Sequence, residues 1–322
     1  MAVTTASATE LTATQVAAIL TQPLEAASSF LASGPRIYDT AGPIRLPSAP
    51  VYGGAALPFT GESELIPEQD ADFGEVTLLP STMESVKVIT RYSNELARQS
   101  VIALEAALRA RLVADVAGKL DSQFYSAAGD GITTPQGMFA WAGVTTIPVA
   151  GPLTVDVLLT AQAAALMQEV NVAALRAFVN PRDFMGLQSA KDADERYLLQ
   201  PDATRAGGFQ VLGMPVTVSS RIALGNAAVA DMAQVAVARD LAPSVTVLAE
   251  RYADYDEQAI RVVARYDTKP TNPKAVVTLT GITAPVATGL ANLPEPDADD
   301  GTTAKRSGSA KSDERGSAKS DK

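Results

Sequence analysis

Between residues 93 and 127, Val101, Leu104, Leu108, Leu112, Val116, Leu120 and Phe124 recur at three- and four-residue spacing, and Ile102 and Val113 widen the stripe. That period predicts one amphipathic helix over 93–127. Ser93 is placed to cap its start, and Glu95 falls in the first turn, where the helix dipole favours a negative charge. Glu105 with Arg109 and Asp115 with Lys119 are acid-before-base pairs four residues apart. Such pairs are worth only a few tenths of a kcal/mol each, so the apolar stripe decides the helix. At ~1.5 Å per residue the helix would be a spine about 50 Å long. Gly129-Asp130-Gly131 is expected to end it, and Pro135-Gln136-Gly137-Met138-Phe139 to turn the chain away.

Elsewhere the period is shorter. Glu75 to Leu79 and Ser85 to Thr90 are β-branched and partly alternating, which predicts strands at the two ends of a long hairpin or loop excursion. A helix is expected from Thr154 to about Val170, a strand over 175–179, and a short helix opened by Asn180-Pro181, with proline at the first helical position. Met214 to Ser219, Gln234 to Ala238, Val245 to Leu248 and Ala275 to Leu279 predict further strands. Ile260, Val262, Ala264 and Tyr266 alternate with Arg261, Val263, Arg265 and Asp267, which predicts one amphipathic strand with a charged face. The first fifty residues carry prolines at 23, 35, 43, 47 and 50, with a short helix around 13–20. Closely spaced prolines withhold ladder donors, so this stretch is expected to be an extended arm that either lies on something or stays mobile. From about Pro294 the chain is low in complexity, with Gly-Ser-Ala-Lys-Ser-Asp written at 308–313 and again at 316–321, and is expected to be a disordered tail.

Composition narrows the chemistry. The chain of 322 residues holds neither cysteine nor histidine. Disulfides, thiolate nucleophiles, sulfur-ligated metals, Ser-His-Asp relays and imidazole switches therefore cannot be built from it. Carboxylates, lysines, serines and tyrosines remain for an enzyme. A net charge of −10 disfavours unassisted binding to phosphate backbones. Residues 1–20 contain no Lys or Arg, unlike a secretory signal, and the most apolar stretch, 158–167, falls short of the ~20 residues that span a bilayer. The acidity is local. Residues 53–90 carry Glu62, Glu64, Glu68, Asp70, Asp72, Glu75 and Glu84 against Lys87, a net of −6. Residues 91–120 carry Arg91, Arg98, Arg109, Arg111 and Lys119 against Glu95, Glu105 and Asp115, a net of +2.

The catalytic and ligand motifs fail on their spacing. Asp39-Thr40-Ala41-Gly42 lacks the glycine directly after threonine that an aspartic-protease loop needs, and no second copy supplies the facing carboxylate. In Asp297-Ala298-Asp299-Asp300-Gly301 the glycine falls one place early for a calcium loop, and the closing bidentate Glu is absent. Neither Gly129-Asp130-Gly131 nor Gly207-Gly208 extends into a dinucleotide or phosphate loop, so they are expected to be turns. Arg261 and Arg265 are expected to be cross-strand salt-bridge partners. The length of the excursion is what a solvated loop leaves unexplained.

The order of these features resembles the tailed-bacteriophage major capsid protein family, whose Johnson fold is shared with encapsulins. The wording that carries it is Pro43-Ile-Arg-Leu-Pro47, Ser93-Asn-Glu-Leu-Ala-Arg-Gln-Ser100, Gly129-Asp-Gly131 through Gly137-Met-Phe139, Asn180-Pro-Arg-Asp-Phe184, Gly213-Met-Pro-Val216 and Arg265-Tyr-Asp267. The resemblance covers about residues 35–282. It implies an α+β fold with an N-terminal arm (1–52), an E-loop hairpin (53–90), a peripheral domain with the spine helix (91–139), an axial domain (140–240), a return to the peripheral domain (241–290) and the tail (291–322).

In that family the E-loop lies over a neighbouring subunit. Glu62, Glu64, Glu68, Asp70 and Asp72 on the loop, and Arg98, Arg109 and Arg111 on the spine, are then the candidate inter-subunit contacts, because opposite signs steer and register association. No catalytic, cofactor or metal site is expected. The implied partners are further copies of the chain in pentamers and hexamers, a separate scaffolding protein, a portal, a decoration protein, and packaged double-stranded DNA faced without sequence-specific binding. Some members carry a long scaffolding domain before the arm, and the stretch before Pro35 is far shorter, so the resemblance implies a separate scaffold or none. Others link subunits through a lysine near the E-loop tip, but residues 53–86 hold none, which predicts a non-covalent shell. The implied location is the virion shell, with assembly in the host cytoplasm and no membrane. The alternatives are an encapsulin shell and, more remotely, a carboxylate- or lysine-based α/β enzyme.

Overall fold

The computed structural model describes residues 27–47, 51–52, 59–65, 71–72, 74–95, 104–168, 170–190, 209–240, 244–248 and 250–283. The expected helix at 13–20, Glu68, Asp70, Arg98, Gly207-Gly208 and the tail with its Asp297 motif lie outside the described residues. So do 96–103, the first turns of the expected spine.

In chain order, the first part supplies strands β1 (Arg36–Thr40), β2 (Ile44–Pro47), β3 (Val51–Tyr52), β4 (Ala71–Asp72), β5 (Glu75–Leu78) and β6 (Val86–Ser93), then helix α1 (Leu104–Phe124). The middle supplies β7 (Thr145–Pro148), α2 (Val155–Leu166), β8 (Leu175–Val179), α3 (Pro181–Gln188), β9 (Phe209–Val211), β10 (Met214–Val218) and β11 (Asn226–Asp231). The last part supplies β12 (Val235–Asp240), β13 (Ser244–Leu248), β14 (Glu257–Ala264), β15 (Tyr266–Pro270) and β16 (Val276–Thr280). Three sheets run β7-β16-β11-β8-β10-β9, β1-β12-β15 and β13-β14-β6, and two small ladders pair β2 with β5 and β3 with β4. The expected α+β class is what the chain adopts.

The six-stranded sheet is covered on both faces, which is why β11 reads Ala227-Ala-Val-Ala230 with no polar alternation. Ala228, Ala230, Phe178 and Val276 join the core around α1, while Ala227, Val229, Ala177, Val179 and Val277 join a second core beneath α2 and α3. Side chains set the helix starts as expected. Thr154 Oγ1 accepts from the Val157 N–H at 3.4 Å, and Asn180 Oδ1 accepts from the Arg182 N–H at 3.0 Å. Ser93 closes β6 and stands directly before the helical Asn94 and Glu95, and its Oγ accepts from the Glu95 N–H at 3.2 Å, as the expected cap does.

The spine stripe is correct where it is described: Leu112, Val116, Leu120 and Phe124 are buried in one core. The helix ends at Phe124, before the expected Ala127, because the chain doubles back on its last turn. Gly137 lies so close that a Cβ there would stand 2.2 Å from Ser126 O. The arm does lie on something. Ser28 Oγ, Ser29 N and Oγ, and Phe30 N all donate to the buried carboxylate of Asp121 on α1, and the Phe30 ring packs 5.0 Å from that of Phe124.

Three strand expectations need correcting. Glu75–Leu78 and Val86–Ser93 do not pair with each other. β5 pairs with β2, and β6 pairs with β14 in another sheet. The excursion's limbs are therefore 44–52 and 71–78, so it starts nine residues before the expected 53. The charged strand over 260–267 is two strands broken at Arg265, and Asp267 is buried rather than on a solvated face. The topology also crosses the expected domain boundaries. β12 leaves the 140–240 stretch to pair with β1 and β15, and β16 lies inside the six-stranded sheet.

Candidate functional site

The excursion grows from a root built like a small independent core. In the β2–β5 ladder Ile44 faces Leu78 and Leu46 faces Val76, with their apolar side chains on one face. Pro47 ends β2, where a missing donor does no harm. That face sits on Ala236 and Ala238 of β12, closed by Leu79, Met83 and the half-buried Tyr38.

Three side chains around β15 then grip the backbone of the returning limb. Arg265 Nη2 donates to Pro80 O at 2.6 Å, the Leu79 N–H donates to Asp267 Oδ2 at 2.8 Å, and Lys269 Nζ donates to Thr77 O at 2.8 Å. The chain makes its sharp turn there with Leu79 at φ +54°, a left-handed conformation that a branched side chain adopts only when its surroundings enforce it. Asp267 has no solvent exposure, and burial pushes its carboxyl above the ordinary aspartate value against the pull of the Leu79 N–H and of Lys269. Just beyond, Thr82 Oγ1 donates to Ile132 O at 2.7 Å and the Glu84 N–H to Thr133 O at 2.8 Å. The expected Gly129-Asp130-Gly131 turn thus becomes a second support. Asp130 organises it by accepting from the N–H groups of Thr134, Thr133 and Ile132, which hold its carboxyl far below the usual range.

The tip is built on opposite terms. Residues 61–64 form a turn closed on itself: the Glu64 N–H donates to Gly61 O at 3.3 Å and the Gly61 N–H to Glu64 Oε2 at 3.1 Å, with Ser63 at φ +66°. Phe59 and Leu65 flank this turn fully exposed, Leu65 at 93%. Two large apolar side chains held in water by a preformed turn, beside Glu62 and Glu64, are what a contact surface presents.

The sequence-predicted site residues divide as follows. Glu62 and Glu64 are exposed at the tip, and Asp72 is in β4 at mid-limb. Arg109 and Arg111 are exposed on α1, where Arg111 pairs with Asp115, Nε to Oδ1 3.0 Å. Among the described residues, those of the loop and those of the helix are not brought together within one chain. Asp39 is no protease aspartate: Arg239 donates to it through Nε at 2.6 Å and Nη2 at 2.9 Å, across the parallel β1–β12 pair. Arg265 has Asp240 across the strands at 3.9 Å, as expected for a salt-bridge partner. The residues that sequence missed are Asp267, Phe59 and Leu65. An aspartate in an alternating strand reads as solvent-facing, and lone apolar residues in a polar loop carry no period. Among the described residues no group of carboxylates is arranged to hold a metal ion, and no helix is long and apolar enough to cross a membrane.

The fold thus combines a six-stranded sheet covered on both faces, a helix with one buried stripe and a two-stranded excursion on a fixed root. The model of the Phage capsid family matches residues 11–281, and the chain belongs to that family. It is a structural protein, a major capsid protein of the tailed-phage type, whose place is the virion shell. Solved structures share the fold. The capsid of an empty GTA particle is 16% identical, covering 79% of this chain and 90% of that one at TM-score 0.64. A chain from Mycobacterium phage Adephagia is 15% identical, covering 80% and 91% at TM-score 0.60. One from Mycobacterium phage Cain is 17% identical, covering 80% and 91% at TM-score 0.59. No curated protein matches.

Proposed function

We propose that this chain closes, as pentamers and hexamers, into the icosahedral head that holds the double-stranded DNA of a tailed phage. The carrying observation is the excursion, whose root is fastened to its own subunit while its tip exposes apolar and acidic residues that its own subunit leaves uncovered. In this reading the regions serve as arm (1–52), E-loop (53–90, its last residues running into β6 of the peripheral sheet), peripheral domain (91–139 and 241–290), axial domain (140–240) and tail (291–322). The E-loop of one copy reaches the peripheral domain of the next. Its acids Glu62, Glu64, Glu68, Asp70 and Asp72 then steer it toward basic groups, for which Arg98, Arg109 and Arg111 on the spine are candidates. The role is mechanical and not catalytic. Assembly takes place in the host cytoplasm on a separate scaffolding protein, with a portal at one vertex and decoration proteins where the phage supplies them. The acidic subunit faces packaged DNA without gripping it. With no lysine in residues 53–86 the shell is non-covalent.

Electron microscopy of the expressed chain, with its scaffold, tests this. Closed icosahedral particles are expected, and denaturing gels of them show single subunits. A stable monomer that never assembles would sink the proposal, a ladder of linked subunits would remove its non-covalent part, and particles filled with a cargo enzyme would point to an encapsulin. Reversing Glu62, Glu64 and Glu68 together is expected to slow assembly on the order of tenfold or more, less so as salt is raised.

A further inference from the structure

The peripheral layer offers a neighbour's loop two opposite faces, and only one can be its seat. The inner face of the β13-β14-β6 sheet, through Tyr92, Ile260, Val262 and Ala264, packs on Leu112, Val116 and Leu120 of α1. Arg109 and Arg111 therefore look out of one side of the layer. The alternate residues of the sheet look out of the other.

On that outer face Ile89 is 44% exposed in the middle of β6. Register places Arg261 of β14 directly beside it, and Lys87 and Arg91 flank it two residues away on the same strand face. Neighbours at strand spacing of ~5 Å and along-strand spacing of ~7 Å make one small patch, an apolar centre ringed by three cations. The only carboxylate among the described residues of that face is Glu257, and it is taken up by Arg91, at 3.7 Å, while Arg91 also lies over the Tyr252 ring at 5.3 Å. Lys87 and Arg261 have no hydrogen-bond or ion-pair partner among the described residues, and both are exposed. On the helix side, Arg111 is bound to Asp115 and Arg109 is also engaged.

The E-loop tip is the complement of the sheet patch: Phe59 and Leu65 are apolar, Glu62 and Glu64 anionic, and the turn that holds them is already formed. We infer that the E-loop tip of one copy seats on the outer face of the β13-β14-β6 sheet of the next, Phe59 and Leu65 on Ile89, Glu62 and Glu64 toward Lys87 and Arg261. This deepens the proposed E-loop contact, rests on it, and chooses the sheet over the spine as its seat. Preorganisation of the turn lowers the ordering cost of docking, and the aliphatic stems of Lys87 and Arg261 extend the apolar floor.

Charge exchange tests the choice. Glu62→Lys with Glu64→Lys is expected to slow assembly at least about tenfold. Adding Lys87→Glu and Arg261→Glu restores it, and adding Arg109→Glu and Arg111→Glu does not. Restoration by the helix pair, or by neither pair, overturns the sheet seat while leaving the E-loop reading in place. Unimpaired assembly of the Glu62→Lys, Glu64→Lys chain removes both. An independent readout uses the absence of native cysteine. Particles carrying Leu65→Cys with Ile89→Cys, once oxidised, are expected to give a ladder of linked subunits on a non-reducing denaturing gel, and particles carrying Leu65→Cys with Ala110→Cys to give none. The reverse pattern, or no ladder from either, overturns the proposal.

Discussion

The root and the tip of the excursion are made of the same kinds of residue and use them in opposite ways. At the root, Ile44, Leu46, Val76 and Leu78 turn their side chains into a core shared with β12, and the charged groups Arg265, Asp267 and Lys269 are spent on the limb's own backbone. At the tip, Phe59 and Leu65 stand in water, and among the described residues no cation of the same subunit pairs with the acids beside them. A limb held at one end and bare at the other is a lever. Its direction is fixed by intramolecular contacts, so that little is left to order when it meets a partner.

Replacing one residue at each end separates the two. Leu78→Ala opens a cavity in the root, and a fully buried leucine lost this way costs about 2–5 kcal/mol. The melting temperature of the unassembled subunit is expected to fall by several degrees. Phe59→Ala should leave that melt unchanged within about 1 °C, since it removes no buried contact, while slowing assembly. A tip substitution that lowers the melt as far as the root substitution would erase the distinction.

A smaller, pH-dependent effect sharpens it. Burial raises the Asp267 carboxyl above its ordinary value of 3.8, so the folded chain holds that proton to higher pH than the unfolded chain does. Over that interval the folded state binds more protons, and its stability falls as pH rises from about 4. Asp267→Asn removes this slope and one of the two accepting oxygens used by the N–H groups of Leu79 and Thr268. Melts compared with the parent chain are expected to show a deficit that is greatest near pH 4 and narrows toward pH 7. A deficit that widens instead would mean that Asp267 is held charged at the root. Least of all should Arg45→Gln matter. Its pair with Glu75, 3.1 Å, is well exposed, and loss of such a pair is worth at most about 1 kcal/mol, read as a shift of the same melt.

Much of this was legible in the residues where local periodicity coincides with burial. The stripe from Leu104 to Phe124, the strand at 175–179 and the Asn180-Pro181 helix start follow from spacing and capping chemistry alone. Pairing across long separations was not. The Pro-rich arm hid β2, because prolines argue against a strand until one sees that Pro47 is its last residue, opposite Glu75. Asp267 was misplaced because alternation assumes one wet face, and β15 has both faces covered. The acidic excess of 53–90 is visible in composition, but the tip's apolar pair is not. Exposure of Phe59 and Leu65 follows from a turn geometry that no period announces.

The grip of Asp267 on Leu79 joins residues 188 positions apart. During synthesis at roughly 5–20 residues per second, Leu79 therefore waits on the order of 10–40 s for its acceptor to be made. Until then β5 has neither β12 beneath it nor β15 beside it, and nothing aims the loop. A nascent chain on a polysome, crowded among identical chains, cannot present a correctly pointed hook until more than four fifths of it exists. In the proposed assembly the root would act as a clock that keeps unfinished subunits from engaging one another.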